Sequence, residues 1–279
     1  MLEQPDVKSI PEGIRVHACL MLLAWGFCCP NGLLVTRHFK TEWPGRSFRK
    51  LKYWFTIHLL LQCFLLAFVI VAFMSVVVQL TGYSKLTKLP FSAHPALGFL
   101  AFFLTILGPF HSWMMITSTE SRRSLFRNFH LCFGVLAHTL SVPLILIGFN
   151  LPTIGTGICS SRIYSGMYLS SLMFYAITEV VLEVVNYRIL SKTRDLREKF
   201  SSTGLDVERV RTQIAHDPRH AKERAVEVLI DKEAPERQEL QNGFCQIQAL
   251  RVAKYFIYGI HLAVSFGIIF VLVIMVAGS

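Results

Sequence analysis

Residues 14–27 read IRVHACLMLLAWGF. A histidine, His17, stands at the threshold of a long apolar run, where an imidazole is unfavourable unless a partner holds it. The run continues to about residue 36, and five more follow at 54–80, 94–117, 129–149, 164–188 and 255–277. About 20 apolar residues suffice to cross a bilayer as a helix. With 53% hydrophobic and only 16% charged residues in a chain of 279, the composition is that of a membrane protein. The expected fold class is all-α, a polytopic membrane protein with six transmembrane helices. That leaves too little chain for a sizeable soluble domain.

The net charge of +10 does not point to nucleic acid, because of where it lies. Segments on the side of the amino terminus hold Lys8, Arg15, Lys85, Lys88 and Arg162. Short loops on the other side hold Arg37, Lys40, Arg46, Arg49, Lys50, Lys52, Arg122, Arg123 and Arg127. Nine against five puts the second side in the cytoplasm. Residues 1–15 then form a short non-cytoplasmic tail, 16–188 a core of five spans, 189–254 a charged cytoplasmic loop, and 255–279 the sixth helix. The loop carries 13 Lys or Arg and 11 Asp or Glu, a mixed-charge face rather than a basic arm. The first thirteen residues are polar and show no signal peptide, which fits a short tail or a chain that has lost an upstream extracellular domain. Seven cysteines, mostly in or beside spans, form neither a disulfide framework nor a zinc spacing.

Four spans open alike. Span one opens HACLM from His17, span two HLLLQ from His58, span three HPALG from His94, and span four HLCFG from His130. Spans alternate in direction, so His17 and His94 share one depth and His58 and His130 another. Two imidazoles facing each other across a four-helix bundle supply the axial ligands of a low-spin haem. The residue four past each histidine lies on the same helical face. In spans three and four it is Gly98 or Gly134, which leaves room for a flat porphyrin. From His17 to Arg37 is 20 residues, about 30 Å of helix. The two ligand layers then lie on the order of 20 Å apart, so electrons could step between two haems across the membrane.

The other polar residues are read more plainly. His111 and His138 are read as packed or hydrogen-bonded residues, with His111 the substitute ligand on the cytoplasmic side. His38 and His261 are read as unpaired and interfacial. His216 and His220, spaced i, i+4, are read as a solvated face. Glu179 and Glu183 lie one turn apart in span five, either as a proton path or paired with Arg188 or with groups inside the bundle. No GxGxxG followed by an acidic residue appears, which argues against a built-in nicotinamide or flavin site.

At these residues the chain resembles the cytochrome b561 family, in particular the transmembrane core of its ferric-chelate reductase and DOMON-linked members. The resemblance rests on HACLMLLAWGFCCPNGLLVTRHFK (17–40), WFTIHLLLQ (54–62), HPALG (94–98) and RNFHLCFG (127–134). It implies two haem b groups, the outer held by His17 and His94 and the cytoplasmic by His58 and His130. It implies single-electron transfer from cytoplasmic ascorbate to ferric chelates or monodehydroascorbate, in a plasma-membrane or endomembrane protein. LLVTRHFK resembles the family's basic motif, so Arg37 and Lys40 would attract the ascorbate anion. The same two cations also satisfy the positive-inside bias. The chain departs from the family pattern in carrying its first histidine on span one, in lacking a preceding DOMON domain, and in having RNF where Trp often precedes the fourth histidine. A homodimer or an extracellular-domain partner is compatible with these features. The rival readings are a haem-binding relay subunit feeding a partner and a haem-less membrane scaffold.

Overall fold

The computed structural model describes residues 10–43, 46–82, 84, 86–151, 160–201 and 234–279, without the side chains of 200–201 and 234–237. Among the described residues, six helices are long and apolar enough to cross a membrane. We label them α1 (Glu12–His38), α2 (Tyr53–Leu80), α3 (Ala93–Thr117), α4 (Glu120–Phe149), α5 (Ser161–Ser201) and α6 (Ala234–Ala277). They match the six apolar runs, and several extend beyond them. α4 begins nine residues before the expected 129, because the polar stretch ESRRSLFRN still forms its first turns. α5 and α6 run on into the charged segment 189–254, and 202–233 lies outside the described residues. So do His216 and His220.

The chain divides into two compact units. The first comprises Met1–Gly32, Leu59–Met173 and Val264–Ser279; the second comprises Leu33–His58 and Phe174–Ala263.

In the first unit, α3 and α4 form a helical hairpin across Ser118 and Thr119. Their internal prolines, Pro109 and Pro143, are tolerated as in other transmembrane helices, where neighbours and side chains re-satisfy freed backbone groups. α1 is the most enclosed helix, with 61% of its apolar window buried against 17–28% for the others. It is π-helical from Leu22 to Cys28. Pro30 just downstream has no N–H to return to the Gly26 carbonyl, so the regular ladder is already interrupted there. Gly26 also permits close packing, since a Cβ on it would lie 2.5 Å from Ile269 Cδ1.

In the second unit, Leu34, Val35, Phe39 and Leu182 form a fully buried cluster, flanked by Trp43, Trp54, Ile57, Tyr175, Tyr255, Ile257 and Tyr258. A smaller cluster of Leu196, Leu240 and Ile247 joins the extended ends of α5 and α6, where Lys199 also pairs with Glu239. Between α1 and α2 lies a two-residue hairpin, β1 (Ser47–Phe48) against β2 (Leu51–Lys52). Its turn residues Arg49 and Lys50 have φ of 48° and 70°, the left-handed values that a tight hairpin requires.

Candidate haem site

The site begins at Gly13. The start of α1 approaches α2 so closely that a Cβ on Gly13 would lie 2.7 Å from Gln79 Cβ and 2.8 Å from the Ser75 carbonyl oxygen. The contact is also hydrogen-bonded. Gly13 N–H donates to Gln79 Oε1 at 3.0 Å, and Ser75 Oγ donates to the Gly13 carbonyl at 3.1 Å. One turn further along the same face of α1 is His17. Its Nδ1 lies 3.0 Å from the Ala72 carbonyl oxygen of α2.

His94, in the first turn of α3, is held in the same way. Its Nδ1 lies 3.0 Å from the Leu144 carbonyl oxygen of α4. Gly148 lies beside it: a Cβ there would stand 3.4 Å from His94 Cε1, at van der Waals contact. A carbonyl oxygen only accepts, so Nδ1 carries the proton in both rings and Nε2 keeps its lone pair. That is the tautomer a metal-binding imidazole needs, set by its second hydrogen bond.

The two rings face each other, with centroids 6.2 Å apart and planes at 71°. A metal–imidazole bond of about 2 Å on each side, with about 1 Å from each nitrogen to its ring centre, places two axial ligands on the order of 6 Å apart. The residues present therefore fit a haem iron between them. On α3, a Cβ on Gly98 would meet nothing within 4 Å, so the open face expected from HPALG is there. The same holds for Gly134 on α4.

The histidines of the other layer are placed differently. His130 has its Nδ1 3.3 Å from the Gly108 carbonyl and 3.3 Å from Ser112 Oγ, again leaving Nε2 for a ligand. His111 is enclosed, bonded to the Leu107 carbonyl of its own helix at 2.7 Å and packed against Phe110, Phe129 and Phe133. It is built as a core residue. His58 belongs to the second unit and His130 to the first, so their pairing remains a reading of the sequence.

Two sequence expectations need correction. His38 and His261 were expected to be unpaired and interfacial, yet they are 2% and 0% exposed. His261 Nδ1 lies 3.0 Å from Thr178 Oγ1, and its ring stacks on Phe174. His38 meets Glu179 and Asn186. Of the alternatives read for Glu179 and Glu183, pairing with a group of another helix is the one seen: Arg37 holds them at 2.7 and 3.4 Å. Arg37, expected at an ascorbate site, is thus already an ion-pair partner. Lys40, its expected companion, lies over the Trp54 ring, 5.6 Å from its centre. A buried pair absent from the sequence reading, Lys254 with Glu42 at 2.8 Å, completes this end and is joined by Tyr255 Oη at 3.0 Å. All these partners come from distant helices, so no spacing along one helix could have revealed them.

The model of the eukaryotic cytochrome b561 family matches residues 16–154, the stretch that holds all four histidines. The chain belongs to the cytochrome b561 family. Cytochromes b561 are haem b proteins, in keeping with the imidazoles described above. Among curated relatives, the chain is 28% identical to human ferric-chelate reductase 1 over 203 residues, 70% of this chain and 33% of that protein. It is 24% identical to a putative ferric-chelate reductase 1 of Xenopus laevis over 188 residues, 67% of this chain and 31% of that one. It is 35% identical to a cytochrome b561, DM13 and DOMON domain-containing protein of Arabidopsis thaliana over 101 residues, 36% of this chain and 10% of the relative. The chain thus spans about a third of the length of the ferric-chelate reductases it matches. No solved structure matches it. As a b561 core with six apolar helices, it is a multi-pass integral membrane protein.

Proposed function

We propose that this b561 core moves single electrons across a membrane through two haem b groups. The donor is cytoplasmic ascorbate; the acceptor, on the opposite face, is a ferric chelate or monodehydroascorbate. The observation that carries the reading is the His17–His94 pair: two rings 6.2 Å apart, each with Nδ1 committed to a carbonyl of a neighbouring helix. His17 and His94 hold the outer haem. By the matching sequence pattern, His58 and His130 hold the other. The haem iron supplies the one-electron redox change, and the protein supplies ligands, spacing and a low-dielectric surrounding. The Ala72 and Leu144 carbonyls orient the two outer imidazoles and raise their basicity toward iron. The ferric substrate class follows the relatives named ferric-chelate reductase 1. At the other end, Arg37 and Lys40 draw the ascorbate anion toward the membrane, Arg37 while still in contact with Glu179 and Glu183.

The test is a dithionite-reduced minus oxidised spectrum with haem quantification, on the wild-type chain and on His94→Ala and His58→Ala. Two b-type haems per chain, with each variant losing one, is the expected result. A folded protein that binds no haem overturns the reading.

A further inference from the structure

The second unit holds a buried titratable pair to which the proposed electron path gives no role. His38 closes α1 with its side chain fully enclosed, yet both ring nitrogens are engaged. Asn186 Nδ2 lies 2.8 Å from Nδ1, and an amide nitrogen only donates, so Nδ1 is the acceptor. The proton therefore sits on Nε2, which donates to Glu179 Oε2 at 2.9 Å. The pair stands in its deprotonated form, a neutral imidazole on a carboxylate. It has room for one more proton, on Glu179, or on His38 if Asn186 turns its amide to present Oδ1. Glu179 is 21% exposed, and the adjoining Arg37 and Glu183 side chains are 60% and 59% exposed.

The pair also lies beside the turn that carries His58. Trp54 and Ile57 pack on the cluster formed by Val35 and Phe39, which flank His38, and by Leu182, which sits between Glu179 and Glu183. A buried ionisable pair at membrane depth is unfavourable unless it serves a purpose, and a charge added to a low-dielectric interior is felt strongly by its titratable neighbours.

We propose that His38 and Glu179 form a redox-linked proton site, which binds one proton from the adjoining aqueous face when one electron arrives at the haem held by His58. The inference rests on the haem reading above. The electron comes from a one-electron donor such as an enediol anion, and the proton comes from water. One negative charge is thereby matched by one positive charge, and both leave when the electron moves on. Several other groups bear on the pair. Arg37 lies on its own helix, Lys40 two residues past the end of that helix, and Glu183 on α5. On α6 there are His261, which interacts with Glu179, then Tyr258, Tyr255, and Lys254 already paired with Glu42.

The experiment is a potentiometric titration of both haems at several pH values, on the wild type, Glu179→Gln and His38→Gln, with infrared redox-difference spectra of the same samples. In the wild type the potential of one haem falls as pH rises, with a slope approaching one proton per electron, and the other haem's does not. The slope vanishes in either variant. The infrared difference shows a new protonated carboxyl or imidazolium signal on reduction, absent in the variants. If one variant fails to hold haem, the other decides. A two-haem protein with pH-independent potentials, or a slope that survives in a haem-replete variant, overturns this inference alone. A protein without haem overturns the haem reading and this inference with it.

Discussion

Gly13→Ala tests whether the contact between α1 and α2 builds the outer haem site. The added methyl would lie 2.7 Å from Gln79 Cβ and 2.8 Å from the Ser75 carbonyl oxygen, the latter a backbone atom that cannot swing aside. Carbon atoms pack best at roughly 3.5–4.0 Å, so α1 must back away by about 1 Å. Three hydrogen bonds cross this contact: Gly13 N to Gln79 at 3.0 Å, Ser75 to the Gly13 carbonyl at 3.1 Å, and His17 to Ala72 at 3.0 Å. A shift of that size takes each to about 4 Å, past the range of a hydrogen bond. Overpacking costs roughly 1–3 kcal/mol. Losing the three bonds at about 1 kcal/mol each raises the destabilisation to roughly 4–6 kcal/mol. The His17 ring also loses the carbonyl that sets its tautomer. The assay is thermal denaturation in detergent together with haem quantification. A clear loss of melting temperature and of one haem per chain is expected. A Gly13→Ala protein with wild-type melting and two haems would refute the reasoning, because the His17 position would then not depend on this contact.

Further outcomes follow from the same geometry. A Cβ on Gly98 would meet nothing within 4 Å, so the haem-free Gly98→Leu chain should keep its stability within about 0.5 kcal/mol. Its haem content should fall by roughly half, since the side chain occupies the porphyrin's face; haem titration checks both parts. His111→Leu should keep full haem content, with a stability loss on the order of 1 kcal/mol, because His111 is packed among Phe110, Phe129 and Phe133. His130→Ala, measured spectroscopically alongside it, should lose one haem. Lys254→Met removes the Nζ donor 2.8 Å from the buried Glu42 carboxylate, which keeps Tyr255 Oη at 3.0 Å and Arg251 Nε at 4.0 Å, and should cost up to about 3 kcal/mol. Replacing Glu42 by Leu in the same chain should recover most of that in a melting experiment.

The six spans and the histidine at the mouth of each of the first four were legible because each depends only on order along one helix. Length sets what can cross a bilayer, and the i, i+4 spacing sets which residues share a face. Gly98 could be picked out for the same reason: the open space beside it lies one turn from His94 on its own helix. Helix ends were less legible. α4 starts at Glu120 because polar turns remain helical once they leave the lipid, where apolarity no longer marks them.

By itself, then, the sequence determined the membrane class and the number of spans, and it is the source of the proposal that four imidazoles pair by depth. The tertiary structure decided which nitrogen of His17 and His94 is taken up by a hydrogen bond, since the carbonyls of Ala72 and Leu144 come from other helices. It also turned His38 from an interfacial residue into half of a buried pair with Glu179, and Arg37 into that carboxylate's counter-ion, across 141 and 142 residues of chain. Periodicity reports the face a side chain takes on its own helix. The partner it finds there is set by how the helices pack, because a hydrogen bond or ion pair depends on distance in space and not on separation in sequence.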